Sequence, residues 1–160
     1  MRCPITISLL ERLLNALPHV CVSTYDALMF RAAFLLAFFA FLRVGEFTVR
    51  SRGLAPTLCL HDVQVIRRGE RIRLRIRASK TDQRGAGCYI MLRSNGLHTC
   101  PVQATEAYIA ARPCGGESFL VRFDGTPLVR RDFSLVLKHC IEYVDLPVRL
   151  FASHSFRIGA

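Results

Sequence analysis

Residues 71–77 read Arg-Ile-Arg-Leu-Arg-Ile-Arg, an alternation without a break. Only an extended strand brings every second side chain to the same face. Ile72, Leu74 and Ile76 therefore belong to one face, and Arg71, Arg73, Arg75 and Arg77 to the other. The apolar face calls for a core to cover it, and the basic face turns to solvent or to a ligand. Strand-like segments at 58–66 and 88–93 flank this one. The Arg-Arg-Gly-Glu turn at 67–70 and a longer glycine-containing loop at 79–87 join the three. The expected assembly is a three-stranded antiparallel meander.

The rest of the chain carries helical signals. Leucines at 9, 10, 13, 14 and 17 predict an amphipathic helix over 8–17, ended by Pro18. Ser23 or Thr24 can cap a second helix over about 25–44. Its centre, 32–42, is eleven apolar residues in a row. A bilayer span needs about 20, and Asp26, Arg31 and Arg43 flank or interrupt the run, so it reads as a buried core helix. A third helix is expected over 101–112, with proline in its first turn, and 113–116 breaks it. A short extended piece at 119–123 precedes an Asp124-Gly125 turn. Phe133, Val136, Leu137, Cys140 and Ile141 form the inward stripe of a helix over 130–144. Pro147 ends that helix, and Ser153 can cap a final one. The expected fold class is α+β: one domain over 1–160, mainly helical, with a small three-stranded antiparallel sheet.

The charge bounds the partners. Lys and Arg number 22 against 12 Asp and Glu, a formal net charge of +10. A basic globular chain favours a polyanion, with nucleic acid ahead of an acidic membrane. All but Lys80 and Lys138 of these cations are arginine, which suits bidentate phosphate binding and could equally reflect the base composition of the source genome. Residues 67–93 alone hold nine basic and two acidic residues. The seven cysteines are odd in number and scattered, with no C-x-x-C pair, and read as reduced thiols of an intracellular protein. No metal site and no cofactor is expected, and no membrane segment.

Three short boxes carry chemistry. Phe41-Leu-Arg43-Val-Gly-Glu46 places an arginine at the end of the apolar helix. Lys80 falls in the loop between the second and third strands. His154-Ser-Phe-Arg157 puts an imidazole and a guanidinium three residues apart, on one face of a helix start. Attack on a DNA phosphate builds negative charge on its non-bridging oxygens, which fixed arginines stabilise. The leaving oxygen needs a proton from a lysine or histidine. An attacking group supplied by the protein would form a covalent bond to phosphorus.

An arginine, then a lysine in a hairpin, then His-x-x-Arg is the order in which this chain resembles the tyrosine recombinases (the phage-integrase family), most closely those of transposable elements and phages. The resemblance implies DNA recombination or integration, with strand cleavage and religation through a phosphotyrosyl intermediate. It implies that Arg43 and Arg157 clamp the phosphate, that Lys80 is the general acid, and that His154 bonds the phosphate or assists proton transfer. It gives Glu46 a supporting role that orients Arg43 or its neighbours. Arg71, Arg73, Arg75, Arg77 and Arg84 are candidate contacts to duplex DNA, and a homo-multimer on DNA is implied for the intact protein. The compartment would be the nucleus in a eukaryote, or the cytoplasm and nucleoid in a bacterium or phage host. Two departures stand out. Tyr25, Tyr89, Tyr108 and Tyr143 all precede the final box, so no nucleophile is assigned within these residues. The family's amino-terminal core-binding domain is expected to be absent, and the catalytic domain is expected to be incomplete at its carboxyl end. The alternatives are a DNA-binding remnant without catalysis and a domesticated interaction module.

Overall fold

The computed structural model describes residues 2–51, 58–76 and 87–159. The fold is α+β, as the sequence predicts: helices around one small antiparallel sheet. Helix α1 (Ile7–Val20) is capped by Thr6, whose hydroxyl accepts the Leu9 N–H at 3.2 Å. It buries Leu9, Leu10, Leu13, Leu14 and Leu17. The helix does not stop at Pro18. Proline costs its own N–H bond, but the next turn survives, because Cys21 donates to the Leu17 carbonyl at 2.9 Å.

Helix α2 (Thr24–Phe39) starts on Ser23, whose hydroxyl accepts the Asp26 N–H at 3.1 Å. Its apolar run is buried on nearly every side, as a central core helix should be. It ends five residues before the expected Val44. Ala40 leaves the helix, and Phe41 takes a left-handed φ of 55°. That backbone turns the chain so that Leu42 returns to the core while Arg43 points outward. A separate short helix, α3 (Val44–Phe47), follows.

The sheet runs in the order β1 (Val63–Arg67), β2 (Arg71–Ile76), β3 (Cys88–Arg93), with both pairs antiparallel. β1 is shorter than the segment 58–66, because Leu60–Asp62 form a 3-10 turn. Asp62 closes that turn by accepting the Cys59 N–H at 2.9 Å. Ile72, Leu74 and Ile76 are buried, and the arginines between them are half-buried on the other face.

Helix α4 (Pro101–Ala111) packs against α2 and reaches the sheet. Its Glu106 carboxylate accepts the Gly69 N–H of the β1–β2 turn at 3.1 Å from both oxygens. The segment after α4 is held from within. Arg112 donates to the carbonyls of Pro113, Gly116, Ser118 and Phe119. The Asp124-Gly125 turn forms as expected, with Gly125 at φ 88° and its N–H on the Arg122 carbonyl at 2.8 Å.

Helix α5 (Arg130–Tyr143) lays Phe133, Leu137, Cys140 and Ile141 into the core and packs on α1. Helix α6 (Ser155–Gly159) packs on α2. Its start is set by Ser155 rather than by Ser153: the Ser155 hydroxyl accepts the Ala152 N–H at 3.1 Å. Residues 153 and 154 form the turn that leads in. The opposite end of the chain clamps this region. Cys3 donates to the Leu150 carbonyl, Ile5 to the Ser155 carbonyl at 3.0 Å, and the Arg2 guanidinium to the Arg149 carbonyl at 2.8 Å. Ile5 and Ser155 are both fully buried.

Among the described residues, no helix is long and apolar enough to cross a membrane.

Candidate nucleic-acid interface

Two regions carry the residues that the sequence singles out. The first is built on aromatic rings. Phe133 of α5 meets Phe47 of α3 at 5.0 Å, Phe34 of α2 at 5.5 Å and Phe156 of α6 at 5.9 Å between centroids. Phe34 and Phe156 also touch, at 5.3 Å. The contacts of Phe133 with Phe47 and Phe34 are edge-to-face, a geometry that ring quadrupoles favour, and the two made by Phe156 are tilted. Phe47 anchors the short helix that Arg43 precedes, and Phe156 is the neighbour of Arg157. One shared ring thus fixes the backbones of both boxes to a common core.

Arg43 sits just ahead of α3 and is exposed. Its backbone N–H donates to Glu46 Oε1 at 2.9 Å, and the Glu46 N–H donates to the Arg43 carbonyl at 2.8 Å. Glu46 therefore holds the main chain of Arg43 in place, as the third residue of a capping box does. His154 is exposed and Arg157 half-buried. The Arg157 N–H donates to the His154 carbonyl at 3.0 Å, which ties the two into one turn.

The second region is the outer face of the sheet. The register sets Arg73 opposite Gln64 and Met91, Arg75 opposite Tyr89, and Arg71 opposite Arg67 and Arg93. The Arg73 guanidinium donates to Gln64 Oε1 and stands 4.8 Å from the centroid of the Tyr89 ring. A concavity of about 270 Å³ beside them is lined by His61, Asp62, Gln64, Arg73, Arg75 and Tyr89. A second, of about 470 Å³, lies at the turn end between Arg67, Arg71 and Arg93, with Glu70 and Ser94. Arg67 pairs with Glu70 at 3.4 Å, an exposed contact of small energetic weight. The face is basic, and its acidic members are few.

Lys80, Arg77 and Arg84 lie outside the described residues. Arg71, Arg73 and Arg75 share one face, as expected. The sheet packs on α4 and the 3-10 turn, whereas α6 packs on α2, so the basic face and the two boxes stand on different parts of the scaffold. Sequence reasoning passed over Gln64, Tyr89, Met91 and Arg93. Their signal was the alternation of β3, in which Tyr89, Met91 and Arg93 fall opposite the arginines of β2.

It also passed over one constellation of metal-ligand type. Cys59, His61 and Asp62 bring their ligand atoms within 4.8 Å of one another. A search for C-x-x-C spacing does not find C-x-H-D. The donors fit a soft divalent cation in type. The surroundings fit it poorly: Asp62 already accepts the Cys59 N–H, and Arg73 and Arg75 line the same concavity and raise the local positive potential.

The four tyrosines divide by environment. The Tyr25 hydroxyl donates to the Val121 carbonyl at 2.6 Å. The Tyr108 hydroxyl donates to the Phe119 carbonyl at 2.8 Å and accepts the Val121 N–H at 2.9 Å. Both rings are buried, and burial pushes both phenols above their ordinary pKa. Tyr89 and Tyr143 are exposed, the latter stacked on His19 at 5.1 Å.

No protein-family model matches the sequence, and no curated protein matches it. Solved structures do match. The XerH site-specific recombinase bound to difH substrate, in a pre-cleavage complex, aligns with a TM-score of 0.66 and 13% identity over 99% of this chain and 42% of that one. The same recombinase on palindromic difH substrate, in a post-cleavage complex, gives 0.68 and 14% over 98% and 40%. The chain spans about two fifths of the length of these proteins. The likeness establishes the fold, which is that of the tyrosine recombinases.

Proposed function

We propose that this chain is a tyrosine-recombinase catalytic domain of the mobile-element type, which binds duplex DNA and presents a phosphate to Arg43 and Arg157. The observation that carries the reading is the shared aromatic anchor. Arg43 and the His154–Arg157 pair lie more than a hundred residues apart in sequence, yet their neighbours Phe47 and Phe156 pack on the same Phe133 ring. The fold adds to this, because the solved neighbours are recombinases on their DNA substrates.

In this reading the two guanidinium forks neutralise charge that develops on the non-bridging oxygens. His154, exposed in the turn before α6, bonds the same phosphate or moves a proton to or from the attacking group. Lys80 protonates the 5′ oxygen that leaves as a tyrosine hydroxyl from outside these residues bonds to phosphorus. Glu46 acts through the backbone of Arg43 and is a positioning residue. The arginines of the outer sheet face, Arg77 and Arg84 with them, add phosphate contacts that set affinity and register rather than sequence preference. Assembly on DNA as a homo-multimer belongs to the same reading. None of the four tyrosines is assigned as the nucleophile: Tyr25 and Tyr108 are committed to backbone groups in the core, and Tyr89 and Tyr143 lie outside both boxes.

The test is duplex affinity as a function of salt. If the chain contacts about six phosphates, affinity falls roughly a thousandfold between about 50 and 200 mM salt. Arg43→Ala and Arg157→Ala each weaken binding and reduce the salt slope by about one unit. Affinity that does not respond to salt, or to either substitution, would refute the reading.

A further inference from the structure

The outer sheet face holds more than phosphate contacts require. Tyr89 is 63% exposed and Met91 43% exposed, both on the solvent side of β3 among the arginines of β2. A face that met only phosphates would gain nothing from an exposed ring. Arg73 is also held in place before any ligand arrives: its guanidinium stands over the Tyr89 ring at 4.8 Å and is fixed laterally by Gln64. The planar cation lies over the ring, so the two form a preordered stacked pair.

We propose that this face is also a stacking platform for unpaired bases, and that single-stranded DNA is a second ligand of it beside the duplex phosphates. The inference rests on the reading of the chain as a DNA-binding protein and names a second form of DNA for it. Inside a duplex the base faces are covered by their neighbours, and Tyr89 has nothing to stack on. In a single strand every base offers a π-face to an aromatic ring or an arginine. The concavity beside Tyr89, about 270 Å³, lies near the lower end of the range of small-ligand clefts, roughly 300 Å³. It has room for a base and not for a helix. The exposed side chains of His61 and Gln64 line it with polar groups of the kind that meet base edges. Arg75 lines the same concavity, and Arg71 continues the row toward the turn, so a backbone running along β2 meets a cation at every second residue. Charge complementarity and the ring thus point to one occupant.

The test uses the 160-residue chain and two fluorescent probes: an oligothymidine of about 16 nucleotides and a duplex of matching length. The expected result is that Tyr89→Ala weakens single-strand binding roughly tenfold, that Tyr89→Phe stays within about twofold of the parent because the π-face is kept, and that both leave duplex affinity within about twofold. A 2-aminopurine in the strand provides a readout without mutation, since stacking on the platform quenches its emission. Single-strand affinity that ignores Tyr89→Ala, or unquenched 2-aminopurine in a bound strand, overturns the platform and leaves duplex binding standing. A parent chain that binds neither probe overturns both readings together.

Discussion

The carboxylate of Glu46 accepts the backbone N–H of Arg43 at 2.9 Å, so the acidic residue of the first box grips the main chain of its arginine. Glu46→Gln keeps an oxygen acceptor in place and should leave stability within about 0.5 kcal/mol. Glu46→Ala leaves that N–H without the carboxylate and should cost about 1 kcal/mol, the usual weight of a helix cap. Urea unfolding of the two variants checks this. If Gln and Ala behave alike, the cap contributes nothing.

Phe133 is fully buried and touches rings from α2, α3 and α6. Phe133→Ala should destabilise the fold by about 3–5 kcal/mol, a large share of the roughly 5–15 kcal/mol available to a domain. A milder change, Phe133→Leu, should keep the chain folded yet loosen both boxes together. The measurement is the pair of effects on DNA binding from Arg43→Ala and Arg157→Ala, taken in the background of Phe133→Leu. Both should shrink; if only one shrinks, the ring does not serve as a common anchor.

The tyrosines lead to a negative expectation. Incubation of the chain with a nicked duplex that traps cleavage should yield no denaturation-resistant DNA–protein species. Peptide mapping of an adduct to Tyr89 or Tyr143 would show that a nucleophile lies among these residues after all.

Two thiols give a pH dependence. Burial, then the negative charge of Asp26, pushes the Cys21 thiol up to about 11. Burial, then the nearby Cys21, pushes Cys140 up to about 12. An acid whose pKa is raised by folding keeps its proton in the folded state after the unfolded chain has lost it. The unfolded state then binds fewer protons, so stability falls as pH rises. The loss should begin near the ordinary value of 9.0 and continue toward about 11 to 12, and should be absent below about pH 8. Cys21→Ser with Cys140→Ala should flatten that slope in thermal melts. Near pH ~8 the exposed Cys88 and Cys114 should react first with a disulfide reagent.

What the sequence made legible was periodicity. The alternation at 71–77 predicted a strand with one buried face, and the partners and their order followed, because an apolar face has few ways to be covered. The element ends were less legible. Nothing in a continuous apolar run announces that Phe41 adopts φ 55°, since glycine and asparagine are the usual residues there. Pro18 reads as a stop, yet its cost is local and the buried leucines before it outweigh one missing hydrogen bond. Ser153 and Ser155 are equivalent as letters, and only the fold decides which hydroxyl faces the Ala152 N–H. At the site, the resemblance implied that Glu46 orients Arg43, but a resemblance in letters cannot tell a side-chain partner from a backbone one. Tyr89 was missed because a lone aromatic in a strand looks like core until its register is known.

The contacts of Arg2, Cys3 and Ile5 with residues 149–155 join segments separated by almost the whole chain. Such contacts carry a large loop-closure cost and little local reward, so they form late in folding and open early. The turn that holds His154 is tied to them through Ser155. In hydrogen-exchange terms, the amides of 152–157 should lose protection before those of α2 and β2, although Phe156 is buried. Among the described residues the His-x-x-Arg turn would thus order late, which gives a bound phosphate scope to stabilise it.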